Sequence, residues 1–351
     1  MRHLIREVYS EGGYVFATKA ADIARSAGYE NPAKLASNEN PYPPSPLAIK
    51  KANAALEGCN RYPDEKMREL KDALVRRHGD YTFVTGVGMD GVIETTLRAL
   101  IDPGDRVSVS VPTFSFYGLA VKAQGGESVG IGREDDFTVD PGLFIRKSEG
   151  CKVSFLCTPN NPSGTVTPPE TVEEILEGID GLLFLDNAYV DFCDTDYRYL
   201  MKKYDNLIIG MTMSKAYGLA GMRVGYAFIP EWFEEYYNRA QTPFVINSVS
   251  AAAATGALED PAYIEGYVSS VKMWQKRFET ESKFNSVPGG ANFVMFDVSP
   301  YKGDEMVEML AGKGVVVRSC TSFPGLGDNY IRVSIGKDWE CERFLEVFNS
   351  L

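Results

Sequence analysis

Histidine is nearly missing from this 351-residue chain, which has only His3 and His78. A histidine-ligated zinc centre and a Ser-His-Asp hydrolase both need imidazoles that this sequence scarcely supplies. Six cysteines occur (Cys59, Cys151, Cys157, Cys193, Cys320, Cys341), and no two form a C-x-x-C pair. In a chain of this length they read as reduced thiols of a cytoplasmic protein, and no metal site is expected. Basic residues are also short: 36 Lys and Arg against 48 Asp and Glu leave a net charge of -12. That field repels nucleic acid, although a local pocket can still hold one phosphate. No apolar run reaches the ~18 residues of a membrane span. The opening MRHLIREVYSEGG lacks the apolar stretch of a secretory signal, so none is expected.

The sequence does have enough apolar residues, 44%, to fill about two domains, and its charged fraction of 24% is ordinary for a globular protein. The first 35 residues read as a mixed, partly helical lead-in. The proline-crowded Asn40–Pro46 must be extended. A helical stripe over Asp64–His78 follows, carried by Met67, Leu70, Leu74 and Val75. From Tyr81 short apolar runs alternate with helical patterns such as Val92–Leu100. The predicted strands are Tyr81–Thr85, Arg106–Val111, Lys152–Cys157, Leu182–Leu185, Leu207–Met211 and Val224–Ile229. This alternation implies an α/β fold whose mostly parallel sheet is flanked by helices. Thr167-Pro168-Pro169-Glu170 predicts a helix with Thr167 as its cap. Residues 251–280 read as a helical connector broken at Pro261. Beyond it, predicted strands Asn292–Val298, Gly314–Arg318 and Tyr330–Ile335 and helices over 303–312 and 338–349 suggest a smaller α+β domain. The expected division is a large domain over 36–250 and a small one from 1–35 and 251–351.

Four segments at strand ends carry the chemistry. Gly86-Val87-Gly88-Met89-Asp90-Gly91 matches G-x-G-x-x-G between a strand and a helix. A dinucleotide site would also need an acid at the end of the next strand, where Val111-Pro112-Thr113 stands instead. A phosphate at the helix start, or a plain tight turn, remains open. Thr158-Pro159-Asn160-Asn161-Pro162-Ser163-Gly164 would fix two amides at the carboxyl edge of the sheet, or be only a turn. Asp186 ends the apolar strand Leu182–Leu185, where a carboxylate needs a cation, donors or a cap role. In Thr212–Arg223, Lys215 lies among small and apolar residues. Desolvation would lower its pKa and make it a Schiff-base nucleophile, unless it is a surface lysine. Thr212, Ser214 and Arg223 supply hydroxyls and a guanidinium suited to a phosphate monoester. Together, a phosphate cradle, a carboxylate for a ring nitrogen, amide donors and a reactive lysine describe one cofactor, pyridoxal 5'-phosphate.

With these motifs in order, the sequence resembles the fold-type I pyridoxal-phosphate aminotransferases, in the branch that contains histidinol-phosphate aminotransferase. The resemblance rests on the N-N-P-x-G loop, on D-x-A-Y, on S-K-x-x-G-L-A-G-x-R and on Leu35-Ala36-Ser37-Asn38-Glu39-Asn40-Pro41. Arg61-Tyr62-Pro63 and the closing Val317-Arg318 and Tyr330–Gly336 segments extend it over roughly residues 31–349. It implies that Lys215 bonds the cofactor and moves the proton, and that Asp186 keeps the pyridine nitrogen protonated. It also implies that Asn161 and Tyr189 bind the ring oxygen and that Tyr117 stacks on the ring. The phosphate would meet Gly88, Met89, Thr212, Ser214 and Arg223, and Tyr62 of a neighbouring subunit in a homodimer. Arg318 and Arg332, with Tyr14 and Asn38, would bind substrate. The implied reaction passes the amino group of L-histidinol phosphate to 2-oxoglutarate, a step of histidine biosynthesis. Threonine-phosphate decarboxylase, an aromatic or broad-specificity aminotransferase, and a catalytically silent member of the fold are the alternatives. Three departures stand out: Asn187 where the family has Glu, the run Met89-Asp90-Gly91, and Ser163 in place of Thr.

Overall fold

The computed structural model describes residues 4–9, 13 and 18–351. Tyr14, expected near the substrate, lies outside the described residues. Thirteen strands are described: β1 (Ala33–Lys34), β2 (Thr82–Val87), β3 (Arg106–Val111), β4 (Glu127–Gly132), β5 (Cys151–Cys157), β6 (Leu182–Asp186), β7 (Leu207–Thr212), β8 (Val224–Ile229), β9 (Asn285–Val287), β10 (Phe293–Asp297), β11 (Val315–Val316), β12 (Arg318–Ser319) and β13 (Tyr330–Ser334).

Seven strands form the main sheet in the order β2-β8-β7-β6-β5-β3-β4. All pair in parallel except β8, which runs antiparallel to both of its neighbours. The near-continuous apolar runs follow from burial on both faces. Leu183, Leu185, Ile209 and Met211 enter one core cluster, while Leu182, Phe184 and Ile208 enter the other. The carboxyl ends of β2, β3, β5, β6 and β7 therefore share one edge, where open α/β sheets bind ligands. Because β8 is reversed, its start also falls on that edge and brings Arg223 to the helix start at Gly88.

A second sheet, β12-β13-β10-β9, is antiparallel throughout, and β1 pairs in parallel with β11. Several sequence expectations shift here. The predicted strand Gly314–Arg318 divides, because the chain leaves the β1 pairing and joins β13 across Val317. Strand β4 carries no apolar signal: only Ile131 is buried, as expected of an edge strand. The helix after the asparagine loop starts at Pro169, not Pro168. Thr167 is no cap: its N–H donates to Thr158 Oγ1 at 2.9 Å, and its carbonyl accepts from Tyr197. The helix expected from Asp64 begins at Arg68, with Asp64 Oδ2 accepting the Arg68 N–H at 3.0 Å. The connector is two helices, Ser248–Leu258 and Pro261–Glu281, with Pro261 opening the second. No helix among the described residues is long and apolar enough to cross a membrane.

Candidate active site

A cavity of about 300 Å³ lies between the carboxyl edge of the main sheet, the 36–39 segment and the start of the second sheet. Twelve predicted site residues occur in its wall: Met89, Tyr117, Asn161, Asp186, Tyr189, Thr212, Ser214, Lys215, Arg223, Arg318, Arg332 and Asn38, and Gly88 lies directly behind Arg223. Gly88 has φ +67, and a Cβ there would lie 2.6 Å from the Arg223 guanidinium. Only glycine fits both demands. Tyr62 lies elsewhere, 80% exposed and stacked on Phe244 at 4.5 Å.

At the phosphate end, the helix Gly88–Leu100 starts without a side-chain cap. The first N–H groups of a helix have no intrahelical partner and favour an anion. Arg223 forms an ion pair with Asp90 at 3.0 Å, and the Ser214 N–H donates to Thr212 Oγ1 at 3.1 Å. Burial raises the Asp90 carboxyl, and Arg223 pulls it back down. Met89, one of the departures, is buried and lines this wall.

The two loop asparagines divide their work. Asn160 locks the loop, donating to Pro112 O at 3.1 Å and Ser163 Oγ at 2.9 Å while accepting from Thr113 Oγ1. Ser163 thus supplies the hydroxyl that this loop needs. Asn161 faces the cavity, and its Oδ1 accepts from Arg332, which leaves its amide N–H groups to donate. Tyr189 is buried, and burial raises its hydroxyl above the ordinary value, so it keeps its proton. Asn187 is no ligand here: its amide donates to Thr158 O at 2.7 Å and its backbone N–H to Gly210 O.

Lys215 Nζ donates to Ser37 O at 3.3 Å and sits 5.7 Å from the centre of the Tyr189 ring. Desolvation, then the Arg332 charge, pulls its pKa down to about 8. Asp186 is buried, with Oδ1 accepting from the Ala188 N–H at 2.9 Å and Oδ2 from the Tyr117 hydroxyl at 2.6 Å. Burial raises its carboxyl, and the Tyr117 hydrogen bond opposes that rise.

One expectation needs correction. Tyr117 does not offer a ring face to the cavity, because that ring is fully buried and stacked on Phe155 at 4.8 Å and 11°. Half-buried Phe114, three residues earlier, lines the cavity and meets Tyr117 edge-on at 5.6 Å. The helix Phe116–Gln124 carries Tyr117 inward one turn beyond Phe114. The aromatic spacing in Phe114-Ser115-Phe116-Tyr117 did not say which ring faces outward. Asn38 is also engaged within the protein: its amide donates to Tyr189 at 3.1 Å and its Oδ1 accepts from Ser334 at 2.9 Å. It holds Tyr189 and also lines the cavity. Glu39, which the sequence reading left without a role, also lines the cavity.

Arg332 is buried, donating to Asn161 Oδ1 and to Ala36 O at 2.9 Å. Arg318 stands directly opposite it across the β12–β13 pair. The donor set suits pyridoxal phosphate on structural grounds. A buried carboxylate faces an amine of lowered pKa, and a helix start, two hydroxyls and a guanidinium gather at one end of the same cavity.

Comparison with known proteins agrees. Residues 30–348 match the family described as aminotransferase class I and II. The chain is 59% identical over 352 residues to the histidinol-phosphate aminotransferase of Methanoculleus marisnigri, covering 100% of both chains. It is 53% identical, again over 100% of both, to that of Methanocorpusculum labreanum. The structure resembles histidinol-phosphate aminotransferase from Sinorhizobium meliloti in complex with pyridoxal-5'-phosphate, with TM-score 0.88 at 23% identity, covering 99% and 97% of the two chains. At that identity the structural likeness speaks for the fold, while the family match and the close relatives span nearly the whole chain. This chain belongs to the class I and II aminotransferases.

Proposed function

We propose that this aminotransferase transfers the amino group of L-histidinol phosphate to 2-oxoglutarate, using pyridoxal phosphate. The observation that carries the substrate is the Arg318–Arg332 register. Like charges directly opposite across a strand pair repel. Arg332 is met by amide and carbonyl oxygens, neither of them charged. Two guanidiniums so placed favour a dianionic phosphate over a single carboxylate. The full-length likeness to histidinol-phosphate aminotransferases supports the same substrate.

Bound here, pyridoxal phosphate supplies the electron sink that makes the substrate's α-C–H acidic. Lys215, its pKa pulled down to about 8 by desolvation, is a neutral amine near neutral pH far more often than an ordinary lysine and moves the proton at the α-carbon. Asp186 holds a proton at the ring nitrogen. Asn161 and Tyr189 donate to the ring oxygen, and Phe114 covers a ring face. Arg223, Ser214, Thr212 and the helix start hold the cofactor's phosphate, while Arg318 and Arg332 orient the substrate. Residues 36–250 would form the large domain, with 1–35 and 251–351 forming the small one.

The enzyme would act in the cytoplasm as a homodimer in which Tyr62 reaches the partner's cofactor. The exposed Tyr62–Phe244 stack supports this reading, since large exposed aromatics favour an interface. Heterodimers of Tyr62→Phe and Lys215→Ala subunits should recover activity that neither parent has. Absence of recovery in verified heterodimers would put Tyr62 outside the partner's site. The substrate is tested by single-turnover half-reactions with histidinol phosphate, histidinol, phenylalanine, tyrosine and threonine phosphate, scoring both keto product and CO2. Histidinol phosphate should react fastest and without CO2; a preference for the aromatic donors defeats the assignment.

A further inference from the structure

Asp186 enters the cavity from β6, but the donor that meets its Oδ2 comes from a separate element. Tyr117 lies in the first turns of the helix Phe116–Gln124, and its hydroxyl reaches Asp186 at 2.6 Å. That ring is clamped flat on Phe155 and edge-on to Phe114. A phenol held this way has little freedom to turn its hydroxyl elsewhere. The other fixed donor to the carboxylate is the Ala188 N–H, from its own chain segment. Each carboxylate oxygen therefore has one protein donor and keeps further lone-pair capacity for a cationic N–H.

We propose that Tyr117 is a positioning residue: its hydroxyl holds the Asp186 carboxylate charged and aimed at the cofactor's ring nitrogen. The inference rests on the pyridoxal-phosphate reading of the site.

The groups around Asp186 give this contact its weight. Burial is the strongest influence and favours the neutral acid, and the Asp90 carboxylate on the helix Gly88–Leu100 pushes the same way. Lys215, from the loop after β7, and the Ala188 N–H favour the charged form, and the Tyr117 hydrogen bond is the largest of the favouring contributions. On β5, burial pushes the Cys157 thiol up to about 12, so it adds no charge. Burial likewise pushes the Tyr117 phenol well above 10, so it remains a donor throughout the working range. Without the hydroxyl, the buried carboxyl drifts toward its neutral form and the ring nitrogen loses its counter-charge.

A role in packing alone predicts something different, because phenylalanine would fill the same space against Phe155. The test uses Tyr117→Phe apoenzyme and follows cofactor binding by fluorescence quenching. Two cofactors are compared: pyridoxal phosphate and its 1-deaza analogue, in which carbon replaces the ring nitrogen. We expect Tyr117→Phe to weaken pyridoxal phosphate about tenfold, the scale of one hydrogen bond to a charged group. The deaza analogue should bind wild type and variant within about twofold of each other. In an Asp186→Asn background, Tyr117→Phe should add no further loss. The acid limb of the glutamate half-reaction should also move to higher pH. An equal loss for both cofactors assigns Tyr117 to packing, and no loss for either leaves it without a role; both results overturn the inference. Should Tyr117→Phe not fold, Tyr117→His, which keeps an N–H donor, undergoes the same comparison. There the ratio of the two cofactors' affinities should stay near the wild-type ratio, and a ratio shifted by tenfold overturns the inference. Wild type that binds neither cofactor would instead defeat the pyridoxal-phosphate reading itself.

Discussion

The floor and the wall of the cavity are built on opposite electrostatic plans. On the floor, at the edge of the seven-stranded sheet, charges and donors are matched. Arg223 faces Asp90, and Asp186 takes one donor on each oxygen. On the wall, Arg318 faces Arg332 across a strand pair. The floor is preorganised to receive a cofactor with its own phosphate and ring nitrogen. The wall sets two guanidiniums side by side, an arrangement suited to an anionic substrate. Removing a floor group should therefore damage every reaction, and removing a wall group only those of anionic donors.

Lys215→Ala gives the largest expected effect: loss of transamination with all donors, with the fold and phosphate-anchored cofactor binding retained. Turnover near wild type in purified, folded variant would exclude Lys215 from the proton transfer. Asp186→Asn comes next, with a loss of about two to three orders of magnitude for every donor, roughly 3–4 kcal/mol. A variant within a few-fold of wild type would reduce Asp186 to a structural cap.

Arg332→Ala tests the wall and should cost about 2–5 kcal/mol in kcat/KM for histidinol phosphate. Arg318→Ala should cost a similar or smaller amount. Histidinol, without a phosphate, should be affected far less by either change, while glutamate should suffer with Arg332→Ala because its carboxylate uses the same pocket. If Arg318→Ala leaves the phosphate substrate untouched, the wall does not read phosphate. Phe114→Ala gives the smallest expected effect, a loss of cofactor affinity of up to about tenfold, the scale of one aromatic contact. Equilibrium binding to the apoenzyme measures it, and unchanged affinity would remove Phe114 from the ring face.

Much of the floor was legible in the chain because each group closes an apolar strand. Strand ends announce themselves as a short hydrophobic run followed by a polar residue, as in Leu182–Asp186 and Leu207–Ser214. The parallel pairing then places those ends on one edge without further instruction. The edge strand β4 was silent because a strand with one buried side chain has no apolar run to read. The assignment of Tyr117 to the ring face failed for a different reason. Phe114 and Tyr117 are equally aromatic, and only the direction of the helix Phe116–Gln124 separates an inward ring from an outward one.

By itself, the sequence determined the α/β class and the cofactor chemistry, and it singled out the lysine, carboxylate and arginine proposed to carry it. Those depend on residue type and on local order along the chain. Tertiary structure alone decided that Asn38 is bound up with Tyr189 and Ser334, that Tyr117 supports Asp186, and that Arg318 stands opposite Arg332. Each of these is a contact between segments far apart in sequence. Its identity depends on strand register and on which face a side chain takes, and one residue of slip in a strand reverses that face.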